Sequence, residues 1–292
     1  MTGWTLGIIG GSGLYEIDGL EMVRTERVET PWGEPSDAFT IGEIAGVTLC
    51  FLPRHGKGHR IPPDAINFRA NIDAFKRLGC TDLLSLSACG SLREDYAPGD
   101  FVLVDQYVDR TSGRERSFFG PGCVAHVGLA DPVCPRLAER AADAAEAAGA
   151  RTHRGGTYLA MQGPQFSTRA ESDLYRHWGC DVIGMTNMPE ARLAREAELP
   201  YASVCMVTDY DCWRRGEAAV DVQSILKVMH ANTGKARRLV VELAKALAAL
   251  PRTPSPSGAE TALDGAILTA PDARDPGLMA RLDAVAGRAL AR

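Results

Sequence analysis

The chain has 292 residues, enough for one large α/β domain with a sizeable core, and its 45% apolar and 24% charged residues are ordinary for a globular protein. A net charge of −5 without a clustered basic face argues against nucleic-acid binding, and no apolar stretch reaches the ~20 residues that a membrane span requires. The eight cysteines are scattered without zinc-site spacing, and the N-terminus lacks a secretory signal, so we predict a cytoplasmic protein with no metal site and no membrane partner.

A glycine-rich turn follows the first predicted strand. Residues 6–9 (LGII) are a short apolar run of strand type, and residues 10–13 (GGSG) come directly after them. Glycine lets backbone N–H groups approach an anion closely, and Ser12 adds a hydroxyl donor. Glu16 stands where a dinucleotide fingerprint needs its third glycine, so that motif fails. The turn is therefore an anion-site candidate, with a purely structural tight turn as the alternative.

A basic segment follows a second predicted strand. Residues 38–44 and 47–52 form two predicted strands, and residues 53–60 (PRHGKGHR) come after them. Arg54 offers a planar donor fork suited to phosphate, and His55 lies beside it. A solvated basic loop is the alternative interpretation.

The middle of the chain alternates between helix and strand patterns. Hydroxyl and glycine residues at 87–92 (SACGSL) follow the strand predicted at 82–86, which makes this a third potential anion contact. Thr168 or Ser167 can cap a helix with Glu171 near its third position. The other predicted elements are helices at 63–78, 135–148 and from about 186 to 197, strands at 101–104, 156–161 and 180–185, and a long loop at 109–122.

Two carboxylates follow the last predicted strand. Residues 201–207 (YASVCMV) are an apolar run of strand length, and residues 208–213 (TDYDCW) come next. Ligands of open α/β sheets bind at the carboxyl ends of strands, so Asp209 and Asp211 can face one ligand edge together. The alternative is that they are solvated or cap the following helix.

A change of composition near residue 250 divides the chain. We predict a catalytic domain over residues 1–250, which a long helix at 222–250 completes, and an appendage over residues 251–292 that begins with a Pro/Ser-rich linker. The appendage docks on the core, docks on a partner subunit or is partly mobile. Within the domain, the cationic and hydroxyl-rich strand ends suit an inorganic oxyanion, whereas the acidic end, with Phe166, suits a planar nitrogenous base.

The ordered motifs resemble the 5′-methylthioadenosine phosphorylases within the trimeric purine nucleoside phosphorylase family. The match runs over roughly residues 5–248 and rests on segments 8–14 (IIGGSGL), 53–56 (PRHG), 67–72 (NFRANI), 87–92 (SACGSL), 162–171 (QGPQFSTRAE), 184–186 (GMT) and 208–213 (TDYDCW). The resemblance implies a single-domain mixed β-sheet with helices on both faces. It also implies a homotrimer or a dimer of trimers, and a reaction without a cofactor, with inorganic phosphate as co-substrate.

The implied reaction is phosphorolysis of 5′-methylthioadenosine to adenine and 5-methylthioribose 1-phosphate, a step of methionine and purine salvage. By resemblance, the residues that hold phosphate are Ser12, Arg54, His55, Ser87, the backbone of Ala88, and Thr186. Those that hold the nucleoside are Met185 at the ribose, Phe166, Ser167, Asp209, Tyr210 and Asp211 at the base, and Val222 with His126 of a neighbouring subunit at the 5′ substituent.

The two carboxylates bear on both chemistry and specificity. A carboxylic acid that stays partly protonated can donate to N7 of the leaving purine, and we favour Asp209 for this role over Asp211. An ionised carboxylate accepts from a 6-amino group and repels a 6-oxo group, which favours adenine. The alternatives are a phosphorylase of adenosine, inosine or 5′-methylthioinosine, a nucleoside hydrolase, and a non-catalytic nucleoside sensor. Ser12 and Ser87 replace the threonines of many relatives, and Gly184 and Asn187 also depart from the family pattern.

Overall fold

The structure, a computed structural model, describes residues 3–11, 14, 17, 19–214 and 222–291. Within these ranges, eleven strands form one mixed sheet, accompanied by seven α-helices and three short 3₁₀ helices. The strands are β1 Thr5–Gly10, β2 Glu21–Glu26, β3 Phe39–Ile44, β4 Val47–Pro53, β5 Asp82–Ser91, β6 Phe101–Val104, β7 Gln106–Asp109, β8 Thr152–Arg154, β9 Thr157–Ala160, β10 Val182–Gly184 and β11 Tyr201–Asp209.

The helices connect these strands and cover the sheet. They are α1 Phe68–Arg77, α2 Pro135–Ala147, α3 Arg169–His177, α4 Asn187–Glu196, α5 Val222–Ala248, α6 Pro276–Arg281 and α7 Asp283–Leu290, with 3₁₀ turns at Pro63–Ala65, Ala259–Thr261 and Pro271–Ala273. None of the helices in the described ranges is long and apolar enough to cross a bilayer. All eight cysteines are free thiols, and seven of them are buried.

The centre of the sheet is parallel and brings four carboxyl ends together. β1 pairs in parallel with β4 on one side and with β5 on the other, and β11 pairs in parallel with β5. β10 pairs antiparallel with the last residues of β5, so that Ile183 lies opposite Gly90. The second half of β5 is therefore surrounded by the ends of β1, β4 and β11 and by β10, which is where a ligand site of an α/β sheet is expected.

Alternation along the central strands fills two hydrophobic layers. Leu6 and Ile8 of β1 belong to the layer that packs against α2 and α5. Ile9 belongs to the layer that packs against α1 and α4. Because successive side chains of a strand point to opposite faces, one apolar run can line both layers. The predicted fold class, a mixed sheet with helices on both faces, is confirmed.

Several element bounds differ from those predicted. The helix expected at 63–78 begins at Phe68, because Asn67 accepts a hydrogen bond from the Ala70 N–H and forms its cap, while Pro63–Ala65 is a separate 3₁₀ turn. The capping box of Thr168 and Glu171 is confirmed. β11 extends to Asp209, so this carboxylate ends the strand. Sequence reasoning missed three strands: β2, β7 and β8.

The segment after Leu250 docks on the core, one of the three alternatives considered. Leu282 and Val285 are buried in the layer beneath α1 and α4. Arg288 donates two hydrogen bonds to Glu198, and Arg77 pairs with Asp283 of α7. The segment 251–291 thus shares the hydrophobic core, and the division of the chain at residue 250 stays a prediction.

Candidate active site

Arg54 lies directly after β4, and its guanidinium reaches across the sheet. It is 2% exposed and forms a bidentate ion pair with Glu190 of α4, with N···O distances of 2.7 and 3.0 Å. Its Nη2 also donates to Ser85 Oγ at 2.7 Å and to the Ile9 carbonyl at 3.2 Å. Arg54 therefore joins the ends of β1, β4 and β5 to α4, and its charge is already matched by a buried carboxylate.

His55 follows Arg54 and is partly buried. Its Nδ1 lies 2.8 Å from the Ile61 carbonyl, and its ring stacks on that of His59 with centroids 4.3 Å apart. Burial lowers the pKa of His55 to about 4, and the charge of Arg54 adds to the effect. The imidazole is therefore neutral near pH 7.

Ser87 and Thr186 approach the same region from β5 and from the start of α4. Ser87 is 5% exposed, and its hydroxyl donates to Asn187 Oδ1 at 2.8 Å. Asn187 in turn donates to Ser203 Oγ at 2.5 Å. Thr186 is the N-cap of α4, and its hydroxyl makes no capping bond. Ala88 is half-exposed in the same half of β5. Asn187, which departs from the family pattern, thus orients the Ser87 hydroxyl.

Two predicted site residues cannot be placed. Ser12 lies outside the described residues, and the same is true of the Val222 side chain, although Val222 is the first residue of α5. Gly10 and Gly11, which precede Ser12, are described, and Gly10 ends β1 beside Pro53 of β4.

Asp209 and Asp211 lie together at the end of β11. Asp209 Oδ2 accepts a hydrogen bond from the Thr208 hydroxyl at 2.6 Å, and its Oδ1 accepts one from the Asp211 N–H at 2.8 Å. Asp209 lies over Gly90 of β5, where a Cβ would come within 3.0 Å of its carboxylate. Asp211 has a φ of 51°, a left-handed conformation that is uncommon outside glycine and asparagine. The loop is therefore shaped to hold both carboxylates.

Burial raises the pKa of both carboxyl groups. For Asp209 the effect of desolvation exceeds the opposing effect of its two hydrogen bonds. For Asp211 desolvation is again the largest cause, and the charge of Asp209 adds to it. Ser172 of α3 is fully buried and its hydroxyl lowers the pKa of Asp211, yet that hydroxyl completes no hydrogen bond within the described part of the chain. Two carboxyl groups with raised pKa at a strand end are suited to proton transfer.

Aromatic and sulfur groups surround the carboxylates. Phe166 is 46% exposed and therefore offers a free ring face, and Ser167 next to it accepts a hydrogen bond from the Cys212 thiol at its carbonyl, 3.2 Å away. Trp213 Nε1 donates to the Ser91 carbonyl at 2.8 Å, and Tyr210 meets the Trp213 ring edge-on. The structure thus brings the loop of Phe166 and Ser167 against the loop of Asp209 and Asp211.

Arg114 is a site residue that sequence reasoning missed. Its guanidinium is nearly buried and donates to the carbonyls of Met185, Met188 and Gln162 at 2.6, 2.9 and 2.7 Å. These bonds tie the predicted ribose contact Met185 to the loop that carries Phe166. The predicted loop at 109–122 contained this cation, but no local pattern indicates that its partners lie 48 to 74 residues away.

The departure at Gly184 has a steric explanation. A Cβ at this position would overlap the Tyr158 hydroxyl and stand 2.7 Å from the adjacent ring carbon. Tyr158 is fully buried, and its hydroxyl accepts a hydrogen bond from the Thr186 N–H at 3.3 Å. Glycine at 184 therefore admits a tyrosine that supports the backbone of Thr186.

His126 is exposed and lies against the C-terminal segment. Its backbone N–H donates to the Ala266 carbonyl at 2.9 Å, and the backbone N–H of Leu268 donates to the Val124 carbonyl. Val124 and Leu268 are 41% and 64% exposed, so an apolar surface flanks the histidine. Within one subunit, His126 therefore lies beside the exposed apolar surface formed by Val124 and Leu268.

The chain matches known proteins over nearly its full length. A family model described as the phosphorylase superfamily matches residues 5–245. An S-methyl-5′-thioadenosine phosphorylase from Cereibacter sphaeroides is 59% identical over 285 residues, 98% of each chain, and one from Bradyrhizobium diazoefficiens is 60% identical over 292 residues, 99% of each. A crystal structure of methylthioadenosine phosphorylase from an antarctic soil metagenomic library is 45% identical, with a TM-score of 0.91 over 98% of this chain and 99% of that one.

Proposed function

Because this chain belongs to the phosphorylase superfamily, as its motifs predicted, we propose that it is a pentosyltransferase that cleaves 5′-methylthioadenosine with phosphate. The products are adenine and 5-methylthioribose 1-phosphate. The observation that carries the proposal is the pair Asp209 and Asp211 at the end of β11, two carboxyl groups with raised pKa whose loop contacts the Phe166 loop through the Cys212–Ser167 hydrogen bond. The relatives of 59% and 60% identity that bear this activity in their names support it.

The phosphate end of the site positions the nucleophile. Arg54, His55, Ser87, the backbone at Ala88, Thr186 and Ser12 form the proposed phosphate site. Cleavage of an N-glycosidic bond builds oxocarbenium character on the sugar, so an anion held below the anomeric carbon stabilises the transition state as well as attacking it. Met185, tied down by Arg114, is the proposed ribose contact.

The base end helps the purine to leave. One of the two carboxyl groups donates a proton or a hydrogen bond to N7, and we assign this role to Asp209. The other accepts from the 6-amino group, which is how the site selects adenine over 6-oxopurines. Phe166, Ser167 and Tyr210 frame the base. The raised pKa of both carboxyl groups keeps part of this pair protonated closer to neutral pH than an exposed carboxyl would be.

The proposal extends to the oligomeric state, the cellular location, the pathway and the cofactor use of the protein. We propose a homotrimer, alone or as a dimer of trimers, in which His126 and the apolar surface beside it complete the 5′ pocket of a neighbouring subunit together with Val222. We also propose that the enzyme acts in methionine and purine salvage in the cytoplasm. It uses no cofactor, because inorganic phosphate is the second substrate and the protein side chains supply the proton.

One assay tests the activity and its rivals together. The protein is incubated with 5′-methylthioadenosine, adenosine, 5′-methylthioinosine and inosine, each with and without phosphate, and release of free base is followed. We expect phosphate-dependent release, fastest from 5′-methylthioadenosine. Release that does not depend on phosphate would contradict the phosphorylase assignment, and faster release from the inosine compounds would contradict the adenine assignment.

A further inference from the structure

Thr208 lies where the register between β11 and β5 shifts. Val207 pairs with Cys89, but Asp209 pairs with the next residue, Gly90, so Thr208 is an extra residue in β11. In a regular strand, successive side chains point to opposite faces and do not bond to each other, whereas a bulge can re-aim one of them. The Thr208 side chain is accordingly buried beside the carboxyl group of Asp209, its neighbour in the chain.

Two oxygen atoms compete for the single proton of the Thr208 hydroxyl. Its Oγ1 lies 2.6 Å from Asp209 Oδ2 and 3.1 Å from the Cys89 carbonyl oxygen. A carbonyl and an ionised carboxylate only accept hydrogen bonds, and a hydroxyl has one proton to donate. With Asp209 ionised, therefore, Thr208 fully satisfies only one of the two contacts.

A proton on Asp209 removes this conflict. Oδ1 of Asp209 already accepts the Asp211 N–H at 2.8 Å, and Oδ2 faces a hydroxyl oxygen with free lone pairs, so the acid proton belongs on Oδ2. The protonated Oδ2 then donates to Thr208 Oγ1, and Thr208 donates to the Cys89 carbonyl, so that each oxygen has a partner. When the acid proton leaves, the hydroxyl can turn its own proton to Oδ2.

The surroundings of Asp209 make this turn important. Desolvation raises the pKa of Asp209, and the hydrogen bonds from the Thr208 hydroxyl and the Asp211 N–H oppose it. Among the described residues, no cation shifts the pKa of Asp209, and the titratable groups on which its charge acts are the Asp211 carboxyl and the Cys89 thiol. The charge that appears when the proton leaves is therefore stabilised mainly by these two hydrogen bonds.

We propose that Thr208 is a positioning residue for the proton of Asp209: its hydroxyl accepts from the acid before the reaction and donates to the carboxylate afterwards. The inference deepens the proposed function and rests on Asp209 as the proton donor. The proton moves from Oδ2 to N7, the electron pair of the C–N9 bond goes to the purine, and an oxygen of hydrogen phosphate bonds to the anomeric carbon. The sugar phosphate then releases its remaining proton, which restores the acid through water.

Two variants of Thr208 separate the hydroxyl from the shape of the side chain. Thr208→Val keeps the shape and loses the hydroxyl, so we expect kcat for 5′-methylthioadenosine to fall about 10- to 100-fold, with KM nearly unchanged. Because the bond to the ionised form is the stronger one, its loss raises the pKa of Asp209 further, and the basic limb of the pH profile of kcat/KM moves to higher pH. Thr208→Ser retains the hydroxyl and should keep the wild-type profile.

A double variant shows whether Thr208 acts through Asp209. If it does, Thr208→Val should lower kcat far less in the Asp209→Asn background than in the wild type. An equal loss in both backgrounds, or an unmoved basic limb in Thr208→Val, would overturn the proposal, since Thr208 would then only stabilise the fold.

Infrared titration follows the proton without catalysis. The carboxyl band of Asp209 is the one that Asp209→Asn removes, and it is titrated in the ligand-free wild type and in Thr208→Val. We expect a pKa above the ordinary carboxyl range in the wild type and a higher one in the variant. A wild-type Asp209 that titrates like an exposed carboxyl would overturn the proposal even if no variant folds. The expected titration without any phosphate-dependent base release would instead support the role of Thr208 and contradict the proposed function.

Discussion

The two ends of the site differ in how their polar groups are satisfied. At the proposed phosphate end, Arg54 is paired with Glu190 and Ser87 is bonded to Asn187, and all four side chains are buried. At the proposed base end, Asp209 and Asp211 are partly buried, and desolvation raises the pKa of both. One end has its charges and protons in place before any ligand arrives, whereas the other is ready to change its protonation state.

This difference matches what each ligand demands. The nucleophile enters with its charge and needs only to be oriented, which pre-positioned groups do with no reorganisation during the reaction. The leaving base gains negative charge as the bond breaks, so its site needs a group whose proton can move. The following predictions test this contrast, beginning with the largest expected effect.

Asp209→Asn removes the proposed proton donor while keeping side-chain size. We expect kcat/KM for 5′-methylthioadenosine to fall by about 10²- to 10⁴-fold, because general acid catalysis typically contributes that much. The preference for adenine over 6-oxopurine nucleosides should weaken as well. Steady-state kinetics with 5′-methylthioadenosine and 5′-methylthioinosine measure both effects, and Asp143→Asn on the exposed side of α2 serves as the control. An unchanged ratio between the two substrates would count against Asp209 as the base reader.

Glu190→Gln removes the charge that balances Arg54. A buried ion pair that loses one partner typically costs about 3–5 kcal/mol, so we expect a drop of that order in the free energy of unfolding without phosphate. Urea denaturation measures it. Glu139→Gln, which breaks the exposed pair with Arg154, should cost at most about 1 kcal/mol.

The same variant tests whether phosphate can act as counter-ion. In Glu190→Gln the guanidinium of Arg54 lacks its carboxylate partner, so added phosphate should raise the midpoint of denaturation more than in the wild type. An equal response of the two proteins to phosphate would show that Arg54 does not face the anion.

Arg114→Met removes three hydrogen bonds to the carbonyls that hold Met185 and the Phe166 loop. Leaving buried carbonyls without a donor costs about 1–3 kcal/mol, so we expect kcat/KM to fall by about 10- to 100-fold. KM for the nucleoside should rise more than KM for phosphate, since the clamp lies at the ribose and base end. Arg110→Met, on the exposed part of the same loop, is the matched control. Equal increases of both KM values would place Arg114 outside the base end.

Asp211→Asn should stabilise the protein at neutral pH while lowering activity. The pKa of Asp211 is raised in the folded state. Asp211 therefore contributes fully to the stability of the folded protein below the ordinary carboxyl pKa, and this contribution is lost as the pH rises through the raised pKa. Asparagine also tolerates the left-handed φ of 51° better than most residues. Urea denaturation at neutral pH and at about pH 4 measures the gain, which should shrink at the lower pH. If the increase in stability were equal at both pH values, it would come from the backbone conformation alone.

Local patterns predicted the scaffold of the site with fair success. The apolar runs that became β1, β4, β5 and β11 were identified, and so was the turn chemistry at their ends. The capping box at Thr168 was also identified, because its signal lies within four residues. These features depend on neighbours in the chain, and a sequence displays such neighbours directly.

Partners that lie far apart in the chain escaped prediction. Arg54 was predicted to offer a planar donor fork suited to phosphate, and the structure adds that Glu190, 136 residues away, holds two of its donors. Asn187 was noted only as a departure, yet it orients Ser87 from a distance of 100 residues. Glu190 and Arg114 carry no local signal, because a polar residue in a helix or loop looks alike whether it is solvated or buried with a partner.

The amino-acid sequence by itself determined the family, the reaction class and the positions of the two carboxylates, because these depend on residue types at strand ends. Tertiary structure alone decided which of the charged groups are already paired, which carboxyl groups have a raised pKa, and that His55 is neutral. The physical reason is that charge and protonation depend on burial and on the nearest partner in space. Both are properties of the packed sheet and its helices, and neither follows from the order of residues along the chain.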